Sequence, residues 1–254
     1  MTRNNSVNPA CSPFVSYDSI TNYGERLLNL DSFDVFQRAF AAKTVPQFVF
    51  MTPNMINDGH NSTLEFSAAW SHGFLQPLLA DKAFDERTLI MLTYDESETY
   101  TEPNRIVTLL LGSAIPPSLK GTEDDTFYTH YSILSTVESN WGLPNLGRYD
   151  VGANVFQFAA DMAGYTKNKD PENAPTVNNS LSYAGFLNDD PLRSLPIPTP
   201  NTKLVGAGGL PILESIAVAW PGADTEQTPY DGSGRVCDGD GNPPVYKSPT
   251  ANLP

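Results

Sequence analysis

Thr88-Leu89-Ile90-Met91-Leu92-Thr93-Tyr94-Asp95-Glu96 is the stretch on which the fold turns. Seven residues pass without a charge or a glycine, and two carboxylates follow at once. An apolar run of this length that does not alternate reads as a central strand, covered on both faces. Residues 105–112, with Ile106-Val107-Thr108-Leu109-Leu110-Leu111, repeat the pattern. Pro46-Gln47-Phe48-Val49-Phe50-Met51 is a third compact apolar run, and it too reads as a buried strand.

Helical patterns lie between these runs. A short helical stretch falls near 19–29. Phe33, Phe36 and Phe40 recur at spacings of three and four behind Asp31 or Ser32 as cap. Phe66, Trp70 and Phe74 mark a second helix, which Pro77 should end or kink. Ile133, Leu134, Val137 and Trp141 form the apolar side of a helix over 131–141, and 155–162 add a short one. Apolar strands alternating with helices define an α/β fold with a layered sheet. From about residue 164 prolines and Gly-rich turns dominate, such as Gly206-Ala207-Gly208-Gly209. The chain therefore divides into an α/β part, 1–163, and a Pro/Gly-rich extension, 164–254, with short β segments around 212–220.

The 254 residues carry a formal net charge of -14, with 40% hydrophobic and 17% charged side chains. That composition belongs to a folded globular protein. Its acidity excludes nucleic acid as a partner, since phosphate neutralisation needs clustered Lys and Arg. No apolar run is long enough to cross a bilayer, so membrane insertion is not expected. The start, Met1-Thr2-Arg3-Asn4-Asn5-Ser6, lacks the apolar core of a signal peptide. Cys11 and Cys237 are the two cysteines, compatible with one disulfide or with two inert thiols. Sequons at Asn4, Asn61 and Asn178 favour a secretory setting, against the missing signal sequence.

Ligands of open α/β sheets bind in loops leaving the carboxyl ends of strands. Two loops there hold suitable chemistry. Asp95 and Glu96 offer hard anionic oxygens for a divalent cation. His60, in the polar loop 54–60 with Asn57 and Asp58, offers an imidazole that could contact an anion or assist a leaving group. Taken alone, each is more often a solvated turn: Asp58-Gly59 is itself a strong turn signal. His72 is read as a surface or packing histidine. His130 stands just before a helix and could cap it. No G-x-S-x-G elbow, P-loop or HExxH is present. Asp238-Gly239-Asp240-Gly241-Asn242 lacks the rest of a calcium loop and is read as a turn.

The ordered motifs raise these residues above chance. Thr52-Pro53-Asn54-Met55-Ile56-Asn57-Asp58-Gly59-His60, Leu92-Thr93-Tyr94-Asp95-Glu96 and Asn104-Arg105-Ile106 resemble the phosphoesterase family that groups fungal acid phosphatases with bacterial phospholipase C enzymes. Phe127-Tyr128-Thr129-His130-Tyr131-Ser132-Ile133-Leu134, Glu138, Trp141-Gly142-Leu143-Pro144 and Leu146-Gly147-Arg148-Tyr149-Asp150 resemble the secreted fungal acid phosphatase branch. The resemblance runs from about 13 to 162. It implies a three-layer α/β/α sandwich of alkaline-phosphatase-like type and metal-assisted hydrolysis of a small phosphoester through a phospho-enzyme. It further implies Asp95 and Glu96 as ligands of one or more divalent metal ions of unknown identity. His60 would contact the phosphoryl group, with Asp58 shaping its loop and His130 at the rim. Secretion or a cell-wall location follows from the same resemblance.

The family's other metal-binding motif and its Ser or Thr nucleophile have no match here. The expectation is thus a truncated form, incomplete at the N-terminal side of the sandwich and inactive alone. Two alternatives are a non-catalytic secreted remnant acting as a binding module and a phospholipase C-like phosphodiesterase.

Overall fold

The computed structural model describes residues 13–99, 104–172 and 200–222. Asn4, Asn178, Cys11, Cys237 and the 238–242 turn lie outside the described residues. The chain divides into two units, Met1–Ile90 with Leu110–Ala114, and Met91–Leu109 with Ile115–Pro254.

The first unit holds α1 (Asp18–Thr21), α2 (Gly24–Leu27), α3 (Phe33–Ala42), α4 (Leu64–Ala80) and α5 (Lys82–Asp85). Aromatic rings join α3 to α4. Phe33 meets Trp70 and Phe74 edge-on at 5.7 and 5.4 Å, and Trp70 stacks on Phe74 at 5.3 Å. Such pairs add about 0.5–1.5 kcal/mol beyond the area they bury. The predicted phenylalanine spacing thus does what it should. Thr63 caps α4, its hydroxyl accepting from Phe66 N at 3.2 Å. Ser32 stands at the N-cap of α3 but makes no side-chain capping bond. Pro77 does not end α4, which runs on to Ala80.

The apolar run 46–51 is not a strand, and this corrects the sequence reading. Phe48, Val49 and Phe50 are 48%, 40% and 53% exposed. Among the described residues no neighbouring strand pairs with this stretch, so it has no ladder to join.

β1 (Ile90–Thr93) and β2 (Thr108–Leu111) form a two-stranded sheet. The Thr93 and Thr108 hydroxyls are hydrogen-bonded at 2.8 Å, while Gly112 lies against the Thr88 carbonyl. The end of one strand therefore meets the start of the other, an antiparallel pair. Both strands form where expected, shorter than their apolar runs. Full burial on both faces is not observed: β1 is half-buried, and the first two residues of β2 are exposed. Two strands alone cannot wrap their own faces. The described elements are a mix of helix and small sheet, compatible with an α/β fold.

The second unit holds α6 (Tyr131–Trp141), α7 (Gln157–Ala163) and α8 (Glu214–Ala219). α6 has the predicted bounds but the opposite buried side. Ser132, Ser135, Thr136 and Glu138 are buried, while Leu134 and Trp141 are about 40% exposed. Hydrogen bonds make this inversion tolerable. The Ser132 hydroxyl accepts from Thr129 N, that of Ser135 donates to Asp150 O, and Thr136 Oγ1 accepts from Phe156 N at 3.0 Å. Val155, Ala160 and Ala207 form a small apolar core with Tyr165 against it.

The 212–220 stretch, read as short β, is mostly α8; only Ile212 makes an isolated parallel bridge, to Asn145. Asn145 is fully buried and ties down the later segment. Its side-chain amide donates to the Leu204 and Leu210 carbonyls at 3.2 Å each, and its backbone carbonyl accepts from Leu213 N at 2.9 Å. Among the described residues, no helix is long and apolar enough to cross a membrane.

Candidate active site

Asp95 and Glu96 follow β1 after Tyr94 and are exposed, as a strand end opening into a loop requires. Asp95 Oδ1 accepts from Glu96 N at 3.0 Å, so one carboxylate oxygen folds back on the turn. Asn104 Oδ1 accepts from Ser97 N at 2.7 Å and braces the outgoing loop.

His130, at the N-cap position of α6, makes no capping bond with its side chain. It reaches across instead, with Nε2 at 2.7 Å from the Asp95 carbonyl oxygen. With that oxygen as acceptor, Nε2 carries the proton and Nδ1 is left as the basic nitrogen of the neutral ring. The histidine assigned by sequence only to the rim is the one held against the Asp95 backbone. Spacing in the chain gave no sign of this, since 35 residues separate the two.

His60 and Asp58 belong to the other unit and form a local arrangement of their own. Asp58 Oδ1 accepts from His60 N at 2.8 Å, and Asn54 Oδ1 accepts from Asn57 N at 3.0 Å. These are side chains folding a polar loop on itself. They leave the His60 ring exposed. Asn61 is exposed beside it, and its backbone N–H donates to Met55 O at 2.6 Å. His72 is an exposed residue of α4.

A divalent ion needs more than a carboxylate pair; even magnesium sites complete their shell with further oxygen donors. Among the described residues, no group of three or more His, Cys, Asp or Glu side chains is placed to hold a metal ion. Asp95 and Glu96 are chemically suitable donors, but these residues do not by themselves fit a complete metal centre.

Comparison with known proteins gives the class. The model of the phosphoesterase family matches residues 3–144, and the chain belongs to that family. It is 43% identical over 209 residues to a probable acid phosphatase of Kluyveromyces lactis, covering 82% of this chain and 48% of that protein. Against an acid phosphatase of Aspergillus niger the identity is 40% over 229 residues, 87% of this chain and 54% of the relative. An acid phosphatase of Aspergillus fumigatus is 49% identical over 154 residues, 61% and 34% of the two lengths. The chain thus spans between a third and just over half the length of these relatives. No solved structure matches it.

Proposed function

We propose that this chain is part of a phosphoric monoester hydrolase of acid phosphatase type. The observation that carries the reading is its 43% identity, over four-fifths of its length, to a probable acid phosphatase. The exposed Asp95-Glu96 pair after β1, with His130 bonded to the Asp95 carbonyl, is consistent with it. The matching fold is an α/β/α sandwich of alkaline-phosphatase-like type, and the substrate a small phosphoester. In the route we favour, a Ser or Thr oxygen attacks phosphorus as the P–O bond to the leaving group breaks. The leaving oxygen takes a proton, and water then splits the phospho-enzyme to free phosphate.

Asp95 and Glu96 serve in this reading as two ligands of a divalent ion whose remaining donors come from outside the described cluster. His60 contacts the phosphoryl group, its loop held by Asp58. No Ser or Thr here stands in the nucleophile motif that the resemblance implies. Activity therefore requires joining the chain to the part of a relative with which it does not align. Secretion, with glycans on exposed Asn61, belongs to the same proposal. The absence of a three-donor cluster among the described residues favours one other reading, a non-catalytic binding module.

A chimera separates them. The chain replaces the aligned part of the Aspergillus niger enzyme, and p-nitrophenyl phosphate turnover is followed at acidic pH. Turnover is expected, falling about a hundredfold or more in Asp95→Ala. A folded chimera without turnover, beside an active parent, would leave the binding module standing.

A further inference from the structure

Glu138 and Asp150 are acids buried together, at 5% and 2% exposure, and neither is used by the reading above. Asp150 spends both oxygens on backbone donors, Oδ2 on Leu146 N at 2.6 Å and Oδ1 on Arg148 N at 3.0 Å. Glu138 Oε2 is buried without a donor from any ordinary hydrogen-bonding group. The Glu138 side chain lies within hydrogen-bond reach of the Asp150 carboxyl. Two carboxylates can bond only when one holds a proton. A metal ion is a poor occupant, since both Asp150 oxygens already have backbone partners and no third acid among the described residues is at hand.

The lid over this pair is the turn at 206–209. A Cβ on Gly206 would stand 3.0 Å from Glu138 Oε2 and 2.7 Å from Asn145 Cβ. One on Gly208 would stand 2.7 Å from the Glu138 carbonyl oxygen. Only backbone fits there, and Ala207 between them enters the core with Val155 and Ala160. We propose that a proton held by Glu138, buried beside Asp150, is a latch fastening the 206–209 turn to the end of α6, closed in acid and opened when Glu138 loses it.

The surrounding charges agree. From the 145–150 turn come Asp150 itself, Tyr149 and Arg148, whose guanidinium stands 5.7 Å over the Trp220 ring. Burial draws Arg148 down from its ordinary value while Asp150 and Tyr149 oppose it. Asp150 thus faces one cation, and among the described residues no cation acts on Glu138. From behind α7 comes Tyr165, pushed up by burial and then by Glu138. Residues 204–213 bring no titratable side chain. Burial first, then the charge and hydrogen bond of Asp150, push Glu138 up to about 8. The folded state therefore holds a proton that the unfolded chain releases in the ordinary carboxylate range. The latch contributes fully below that range and is lost as pH rises through about 8.

Hydrogen exchange on the intact chain tests this, with protection factors corrected for intrinsic rates at Gly206, Gly209 and Leu213. Those amides bond to Leu210 O, Gly206 O and Asn145 O. Protection at least tenfold higher at pH 6 than at pH 9.5 is expected. Glu138→Gln, a permanent neutral donor, should keep protection high at both. Tyr165→Phe should leave the pH dependence intact. Equal protection at both pH values, or a drop surviving in Glu138→Gln, overturns the latch. Should Glu138→Gln not fold, carboxyl-carbon NMR of the unaltered protein decides. A Glu138 midpoint above neutrality supports the latch, and one among ordinary carboxylates overturns it.

Discussion

The Tyr128 hydroxyl donates to Asp124 Oδ2 at 2.6 Å and accepts from Gln157 N at 2.8 Å, joining the loop before α6 to the start of α7. Burial, with the Asp124 carboxylate behind it, raises the phenol well above its usual range. Burial also opposes ionisation of Asp124, but hydrogen bonds from Tyr128 and Thr126 outweigh it and hold that carboxyl low. Its contribution is present above the ordinary carboxylate range and fades as pH falls through its lowered value, the reverse of Glu138. Tyr128→Phe is expected to cost about 1–3 kcal/mol in urea unfolding. Gly147 is constrained differently: φ is +76°, and a Cβ there would press on Ile212 and stand 3.0 Å from Pro200 Cβ. Gly147→Ala should cost about 1–3 kcal/mol by overpacking and backbone strain. Protease sensitivity of the 200–213 segment should rise with it.

At the scale of elements, the ends of α6 were legible and its buried face was not. α6 begins at Tyr131 and stops at Trp141, where Gly142 takes the left-handed conformation that closes a helix. Yet its buried side carries Ser132, Ser135, Thr136 and Glu138, because each hydroxyl finds a partner beyond its own turn or in the preceding loop. Periodicity counts apolar residues and cannot see such partners. α4 followed its pattern, since its aromatic positions meet those of α3. Its cap can be weighed: Thr63→Ala should lower stability by about 1 kcal/mol, read from thermal unfolding. A smaller effect would mean that the aromatic contacts alone hold the first turns of α4.

At the scale of the molecule, apolar surface is uncovered on both units. Phe48, Val49 and Phe50 are open in the first, and Val107, Trp141 and Val218 in the second. Exposed apolar side chains of this kind bind apolar probes and invite association. The double variant Phe48→Ser/Phe50→Ser should bind less ANS and scatter less light at equal concentration, with helix content unchanged. Unaltered ANS binding would place the exposed surface elsewhere.

The strands β1 and β2, the helices α3, α4 and α6, and the place of Asp95-Glu96 after β1 could be read from sequence, because local propensity and nearest neighbours determine them. Family membership was legible for a similar reason: motifs are strings, and strings survive without coordinates. Tertiary structure alone decided which side of α6 is buried, that 46–51 stays outside the sheet, and that His130 rests on Asp95. It also brought Glu138 to Asp150 beneath the 206–209 turn. These depend on groups far apart along the chain, whose desolvation and pairing have no energy until folding puts them side by side.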